Sequence, residues 1–188
     1  MALAHFTKVF GFADAKIYPL TADPVGGSPT YGAGIDVPGV KTLEISGTVE
    51  TKKLRGDNTL LDVFSVLTDV TGKLGYAKLS LDLLAVWLGG SVVDAGSGST
   101  ETATWDLTGS SAVRNWKIEG KTPTDGVDLV GGDLHVVFHK CVLGSFPGMG
   151  FAEEDYQIPG LDFATTPLLG TGTKWMTVVL NETAAAIT

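Results

Sequence analysis

The chain has 188 residues, 44% of them apolar and 18% charged. That is enough apolar material for one domain with a full core, but lean in charge against the ~25% typical of soluble domains. A net charge of −8 and a pI near 4.7 argue against a surface that holds nucleic-acid backbone, because that task needs clustered Lys and Arg. A lone cysteine, Cys141, excludes an internal disulfide and a Cys-rich metal site.

The lean charge has a further consequence. Some surface must be apolar or merely polar, and such surface is commonly covered by other subunits, so a homo-oligomer is expected. The opening MALAHFTKVFG has no basic segment followed by an apolar run, and no signal peptide is expected. Residues 79–88, the densest apolar stretch, reach about half the length of a membrane span. The chain is expected in the cytoplasm at synthesis, away from membranes.

Residues 5–18 mix apolar and polar positions without helical spacing and read as a strand or arm. Residues 19–39 are rich in Pro and Gly, which make turns rather than ladders. So long a connection is usually functional or disordered, and here it is expected to reach onto a neighbouring copy. Residues 40–55 show the clearest strand pattern: Leu43, Ile45 and Val49 share one face, and Thr42, Glu44, Ser46, Thr48, Glu50 and Lys52 the other. At about 3.3 Å per residue this strand is far longer than a small sandwich needs.

Arg55-Gly56-Asp57-Asn58 is a turn signal. Its match to the integrin-type Arg-Gly-Asp tripeptide is what three common turn residues give by chance. Residues 59–67 fit either a strand or a helix, whereas 68–78 read as a strand with Val70 and Tyr76 as core anchors. Residues 80–88 form the best helix. Ser80 is its N-cap, Asp82 lies in its first turn, Leu81, Leu84, Ala85 and Leu88 make its apolar stripe, and Gly89-Gly90 stop it. Residues 91–100 are expected to be a flexible loop. From 101 onward short β segments alternate with Gly, Pro, Ser and Asp clusters, the mark of a sandwich or barrel. The GSFPGMG tract at 144–150 reads as a hairpin connection.

Candidate chemistry is sparse. Asp133, His135, His139 and Cys141 fall at odd positions of one strand, 133–143, as metal ligands could. His135 and His139 would nevertheless stand about 13 Å apart along it, too far for one ion without ligands from another strand. Cys141 has His139 two residues away, but no nucleophile elbow, kinase loop, zinc-protease motif or phosphate-binding Gly loop accompanies them. Glu153, Glu154 and Asp155 read as a solvated acidic turn. The four Trp are scattered as core or interface anchors rather than gathered into a sugar-stacking platform. No catalytic residue, cofactor or metal is assigned, and an enzyme is not expected.

One ordered set of motifs carries a family likeness. It comprises Pro38-Gly39-Val40-Lys41 before the long strand, Glu50 with Lys53-Leu54-Arg55-Gly56-Asp57 at its end, and Tyr76-Ala77-Lys78-Leu79-Ser80-Leu81-Asp82 leading into the helix closed by Gly89-Gly90. The strand 133–143, the acidic-aromatic stretch 151–156, Leu161-Asp162-Phe163-Ala164 and a closing strand 174–182 follow in the same order. In this order and spacing the chain resembles the major tail tube proteins of long-tailed bacteriophages, over about two thirds of its length.

The resemblance implies a single tail-tube domain over 1–188. Residues 1–38 would be an N-terminal arm and loop, and 39–183 a β-sandwich or barrel core flanked by one short helix, 80–88. It implies hexameric rings stacked into a tube, with long strands of each subunit joined into one shared barrel. The subunit would be structural and not enzymatic, would enclose the tape-measure protein, would meet tail terminator and distal tail proteins, and would conduct DNA without specific binding. It would reside in the virion tail after assembly in the bacterial host cytoplasm. On that footing Thr42, Glu44, Ser46, Thr48 and Glu50 are expected to face the lumen. The loop 20–38, with Asp23, Pro24, Tyr31 and Asp36, is expected to contact an adjacent ring. Two other readings are a carbohydrate- or receptor-binding β-sandwich module with exposed Trp, and a β-rich enzyme using the 133–141 face.

Overall fold

The computed structural model describes residues 7–124, 131–150, 153, 159–170 and 172–187. These residues are mainly β, with one α-helix and a large antiparallel sheet, in keeping with the sandwich or barrel class expected from the sequence. In chain order the elements are β1 (Asp14–Ala22), β2 (Thr30–Tyr31), β3 (Ile35–Asp36), β4 (Val40–Gly56), β5 (Thr59–Tyr76), α1 (Leu81–Leu88), β6 (Val92–Ala95), β7 (Thr102–Trp105), β8 (Trp116–Pro123), β9 (Asp133–Leu143), β10 (Gly160–Thr165) and β11 (Met176–Asn181).

The main sheet has nine strands and runs β2-β1-β8-β9-β10-β5-β4. Strand β3 pairs β1, and β11 pairs β9. One edge of β9 is therefore shared: residues 133–138 face β11, and residues 141–143 face β10.

The core lies between this sheet and α1. Side chains of Ala15, Ile17, Leu74, Trp116, Ile118, Phe138, Leu161 and Phe163 meet Leu83, Leu84 and Trp87 from the helix. Five rings run through it in contact: Tyr76 and Trp87 at 5.7 Å, Trp87 and Trp116 at 6.5 Å, Trp116 and Phe163 at 5.4 Å, and Phe163 and Phe138 at 5.2 Å. Three of these pairs are edge-on, a geometry worth about 0.5–1.5 kcal/mol beyond area burial.

The helix begins and ends where its capping residues dictate. Ser80 is extended, and its hydroxyl accepts from the Leu83 amide. Gly89 and Gly90 both have positive φ, 82° and 88°, and a Cβ at Gly90 would strike the Asp106 carbonyl oxygen. The apolar face differs from the expected stripe. Leu83, Val86 and Trp87 are buried along with Leu84 and Leu88, while Leu81 and Ala85 are half-buried. The helix is enclosed on most sides, so a one-sided stripe does not describe it.

Two other segments differ from expectation, and residues 59–67, open to strand or helix, take one of the two. Residues 91–100 are not a flexible loop throughout, because β6 pairs β7 as a small two-stranded ribbon, joined through a turn of 3₁₀ helix at Gly98–Thr100. Residues 19–39 contain β2 and β3, which fold back on β1. Residues 59–67 resolve as strand. The N-terminal strand begins at Asp14, and residues 5 and 6 of the expected 5–18 segment lie outside the described residues. So does most of the 151–156 stretch; Glu153 is exposed. The tract 144–150 does join two paired antiparallel strands, β9 and β10.

Candidate functional site

Strands β4 and β5, of 17 and 18 residues, form one hairpin. Its turn, Asp57-Asn58, has φ of 48° and 61°. Two positive values give the primed turn whose twist matches paired strands, and Asp and Asn tolerate it. Near the body, β5 is held on both edges, with β4 on one side and β10 on the other. Its pairing to β10 ends at Val70 opposite Thr165. Beyond that point the hairpin continues alone for about 30 Å, at about 3.3 Å per residue. Every residue from 45 to 68 is exposed except Gly56, which is half-buried.

The pairing assigns faces, since directly opposed residues of an antiparallel pair share a side. One face carries the rows Leu43–Leu74–Leu161, Ile45–Gly72–Phe163 and Gly47–Val70–Thr165, and it is the core side. The other carries Glu44–Lys73–Asp162, Ser46–Thr71–Ala164 and Thr48–Asp69. Glu44 and Ser46 line a shallow hollow of about 330 Å³ there, with Thr71, Lys73 and Asp162. Thr42, Glu44, Ser46, Thr48 and Glu50 all fall on this outer face and are all exposed.

The expected partners on the other face need correction. Leu43 packs against the core, but Ile45 and Val49 are 44% and 57% exposed. Ile45 lies on the edge strand beside Gly72, which offers no side chain to cover it, and Val49 lies on the arm beyond Val70. Where the arm leaves the body, Thr48 pairs with Asp69 and Val49 with Leu67. Thr68 is the extra residue of a bulge, and its hydroxyl donates to the Thr48 carbonyl at 3.1 Å. The bulge exchanges the faces of β5 relative to β4. Past it, one face carries Val49–Leu67, Thr51–Ser65 and Lys53–Val63, and the other Glu50–Val66, Lys52–Phe64 and Leu54–Asp62. The Thr51 and Ser65 hydroxyls meet at 3.0 Å, as shared facing requires. The outer arm is therefore apolar on both sides: Val49, Leu54, Leu60, Leu61, Val63, Phe64, Val66 and Leu67 are each more than 40% exposed.

The expected contact loop is tied to its own subunit at three of its four named residues, Asp23, Tyr31 and Asp36. The Asp23 carboxylate accepts from Lys140 Nζ at 2.8 Å and from the Leu169 amide at 3.1 Å. The Lys140 hydrogen bond holds its carboxyl below the usual range, against a smaller opposing effect of burial. The Tyr31 hydroxyl donates to the His139 carbonyl, and burial raises its pKa to about 12. Pro24 and Asp36 are exposed, with Asp36 3.5 Å from Lys16.

The strand 133–143 does not keep the alternation its sequence suggests. Trp116 pairs with Cys141, and Ile118 pairs with Phe138, so β9 gains a residue between them. Cys141 turns into the core, fully buried, and burial pushes its thiol pKa well up. His139 stays on the far face, where its Nε2 is 2.7 Å from the Thr177 hydroxyl. The supposed Cys–His pair is thus split across the sheet.

That far face bears a cleft of about 530 Å³ floored by Glu119, His135 and His139. His135 lies between Glu119 at 2.8 Å and Asp133 at 3.3 Å. Lys117 stands 3.4 Å from Glu119, and Lys121 2.9 Å from Asp133. Asp133 also accepts from Asn181 and from the Ala185 amide, both at 2.7 Å. Burial alone would raise its pKa, yet these donors with Lys121 and His135 hold it at about 2. The charges are consumed in fixing strands and the C-terminal segment to one another. Among the described residues no group of three or more His, Cys, Asp or Glu is placed to hold a metal ion.

Sequence reasoning missed the bulges at Thr68 and near His139, and with them the apolar outer face of Phe64 and Val66. The only trace of the first was the blurred strand-or-helix pattern of residues 59–67. Among the described residues no helix is long and apolar enough to cross a membrane. No protein-family model and no curated protein matches the chain.

Proposed function

We propose that the chain is a structural subunit of a bacteriophage tail tube. Copies of it form hexameric rings that stack, enclose the tape-measure protein and conduct DNA during ejection. The observation that carries the reading is the β4–β5 arm, which runs on alone beyond Val70, with residues 48–68 exposed except Gly56 and apolar side chains on both faces. A two-stranded ribbon is marginal in water, and exposed strand edges invite pairing. Arms of neighbouring copies that pair edge to edge close into a barrel and remove those edges. The polar rows from Thr42 to Thr48 then form a wall that an acidic duplex slides past, and Glu44 and Glu50 keep DNA from adhering.

The binding-module reading loses its main support. Trp87 and Trp116 are fully buried, and Trp105 and Trp175 are half-buried, so none offers an open stacking surface. Negative-stain microscopy of concentrated purified protein tests the proposal. Hollow rings or tubes with six-fold averages are expected, and monodisperse single subunits at every concentration would refute it.

A further inference from the structure

Among the described residues the arm is one of two ribbons that stand without cover. The other is β6–β7, which pairs with nothing else and is fastened to the body near Trp105, whose Nε1 donates to the Gly89 carbonyl at 2.9 Å. Residues 91–113 around it are nearly all exposed and include Val93, Leu107 and Val113, each more than half exposed. They carry Asp94, Glu101 and Asp106 and no Lys, Arg or His.

The core-side face of the outer arm is the converse. Val49, Leu67 and Val63 supply its apolar rows, Thr51 and Ser65 are its neutral polar pair, and Lys53 is the charge within it. Arg55 follows two residues on. One surface is apolar with carboxylates at its rim, and the other apolar with cations.

We propose that this face of the arm seats on the β6–β7 ribbon of a second copy of the same chain, with Lys53 against Asp94 and Glu101. The contact is heterologous, so it propagates from copy to copy and closes when the rotation closes. It rests on the ring reading above and names the surface of the neighbour on which the arm lies. The seat is small: seven residues of two strands make a footprint about 23 Å by 10 Å, well under the ~800 Å² per partner of a stable pair. It therefore holds in a ring, where every copy makes and receives it, and not in an isolated dimer.

Complementary charge exchange tests it. One variant is Lys53→Glu; the second combines Asp94→Lys and Glu101→Lys. All three sites are exposed, and circular dichroism and thermal melting verify that both variants fold as the parent does. Each alone is expected to raise the concentration at which polymer pellets by about tenfold or more, since like charges then meet at every seat. An equimolar mixture, and the triple variant, are expected to recover the parent value. If the parent polymerises and the variants match it, or if neither mixture nor triple variant recovers, the seat is overturned. If the parent itself never polymerises, the ring reading fails first.

Discussion

Val49 lies directly opposite Leu67, although its chain neighbour Thr48 lies opposite Asp69. The single uncounted residue, Thr68, decides which side chains of β5 share a face with which of β4. Deleting Thr68 joins Leu67 directly to Asp69, so Leu67 stays opposite Val49 in a regular ladder and residues 59–67 keep their faces. Since Thr68 is exposed and outside the core, the melting temperature is expected to fall by no more than about 4 °C, the shift of a sub-kcal/mol change. Polymerisation is expected to be retained. A thermal melt and sedimentation of the deletion variant check the two points, and loss of polymer would show that the arm needs the bulge itself and not only the faces that its pairing sets.

Gly72 sits in the row Ile45–Gly72–Phe163, and a Cβ there would run into three atoms of the Phe163 ring. Phe163 in turn touches Trp116 and Phe138, so the ring has nowhere to move. Gly72→Ala is expected to cost about 1–3 kcal/mol, the usual penalty of overpacking. Chemical denaturation measures it, and a neutral result would mean the ring can yield.

Asp133 is buried and holds Lys121, Asn181 and the Ala185 amide together. Its pKa of about 2 in the fold lies below the ordinary 3.8. A depressed carboxyl pKa contributes stability that is present above the unfolded value and lost as pH falls through the folded one. The loss is expected between about pH 4 and pH 2, and amounts to roughly 2 kcal/mol. Asp133→Asn is expected to destabilise at neutral pH by about 3 kcal/mol, because Lys121 loses its carboxylate partner and keeps only the Ala185 carbonyl, and to flatten that acid limb. Denaturation curves from pH 2 to 7 on both proteins measure the difference.

His139 works in the opposite range. Burial first, then Lys174 and Lys117, lowers its pKa from 6.5. The unfolded chain takes up a proton near pH 6.5 that the folded chain resists, so stability is expected to decline as pH falls below that value. His139→Gln, which keeps a donor for Thr177, is expected to remove this part of the slope; an unchanged slope would assign it to another group.

Under the tail-tube reading, Glu44 on the body and Glu50 on the arm stand on the same outer face of β4. Lys at both is expected to slow DNA release from assembled particles, because cations in the wall bind phosphate. Ejection followed by fluorescence of released DNA gives the answer; an unaltered rate would remove these two residues from the channel.

The helix was legible because its signals are local: Ser80 caps it, and Gly89 and Gly90 end it. The face alternation of residues 42–50 was legible because period two survives wherever a strand is regular. What escaped was set by pairing across the sheet. Nothing in the residues 136–141 announces the extra residue that sends Cys141 inward and leaves His139 outside, and nothing at Thr68 announces the turnover of β5. The burial of Trp87 was hidden for a related reason. A helix clasped on most sides has no single stripe to reveal, and only the rings of Tyr76 and Trp116 on either side of it explain its place. The small ribbon β6–β7 was missed because Gly and Ser dominate its connection.

The central claim is that residues 45–68 complete their sheet only with other copies. Hydrogen exchange of the amides on the outer edge of β4, compared between dilute and concentrated protein, tests it most directly. These amides are expected to exchange freely in the dilute subunit and at least about a hundredfold more slowly in the polymer, as newly paired edge amides do. Equal exchange in both samples, with the arm still open at the highest concentration, would contradict it.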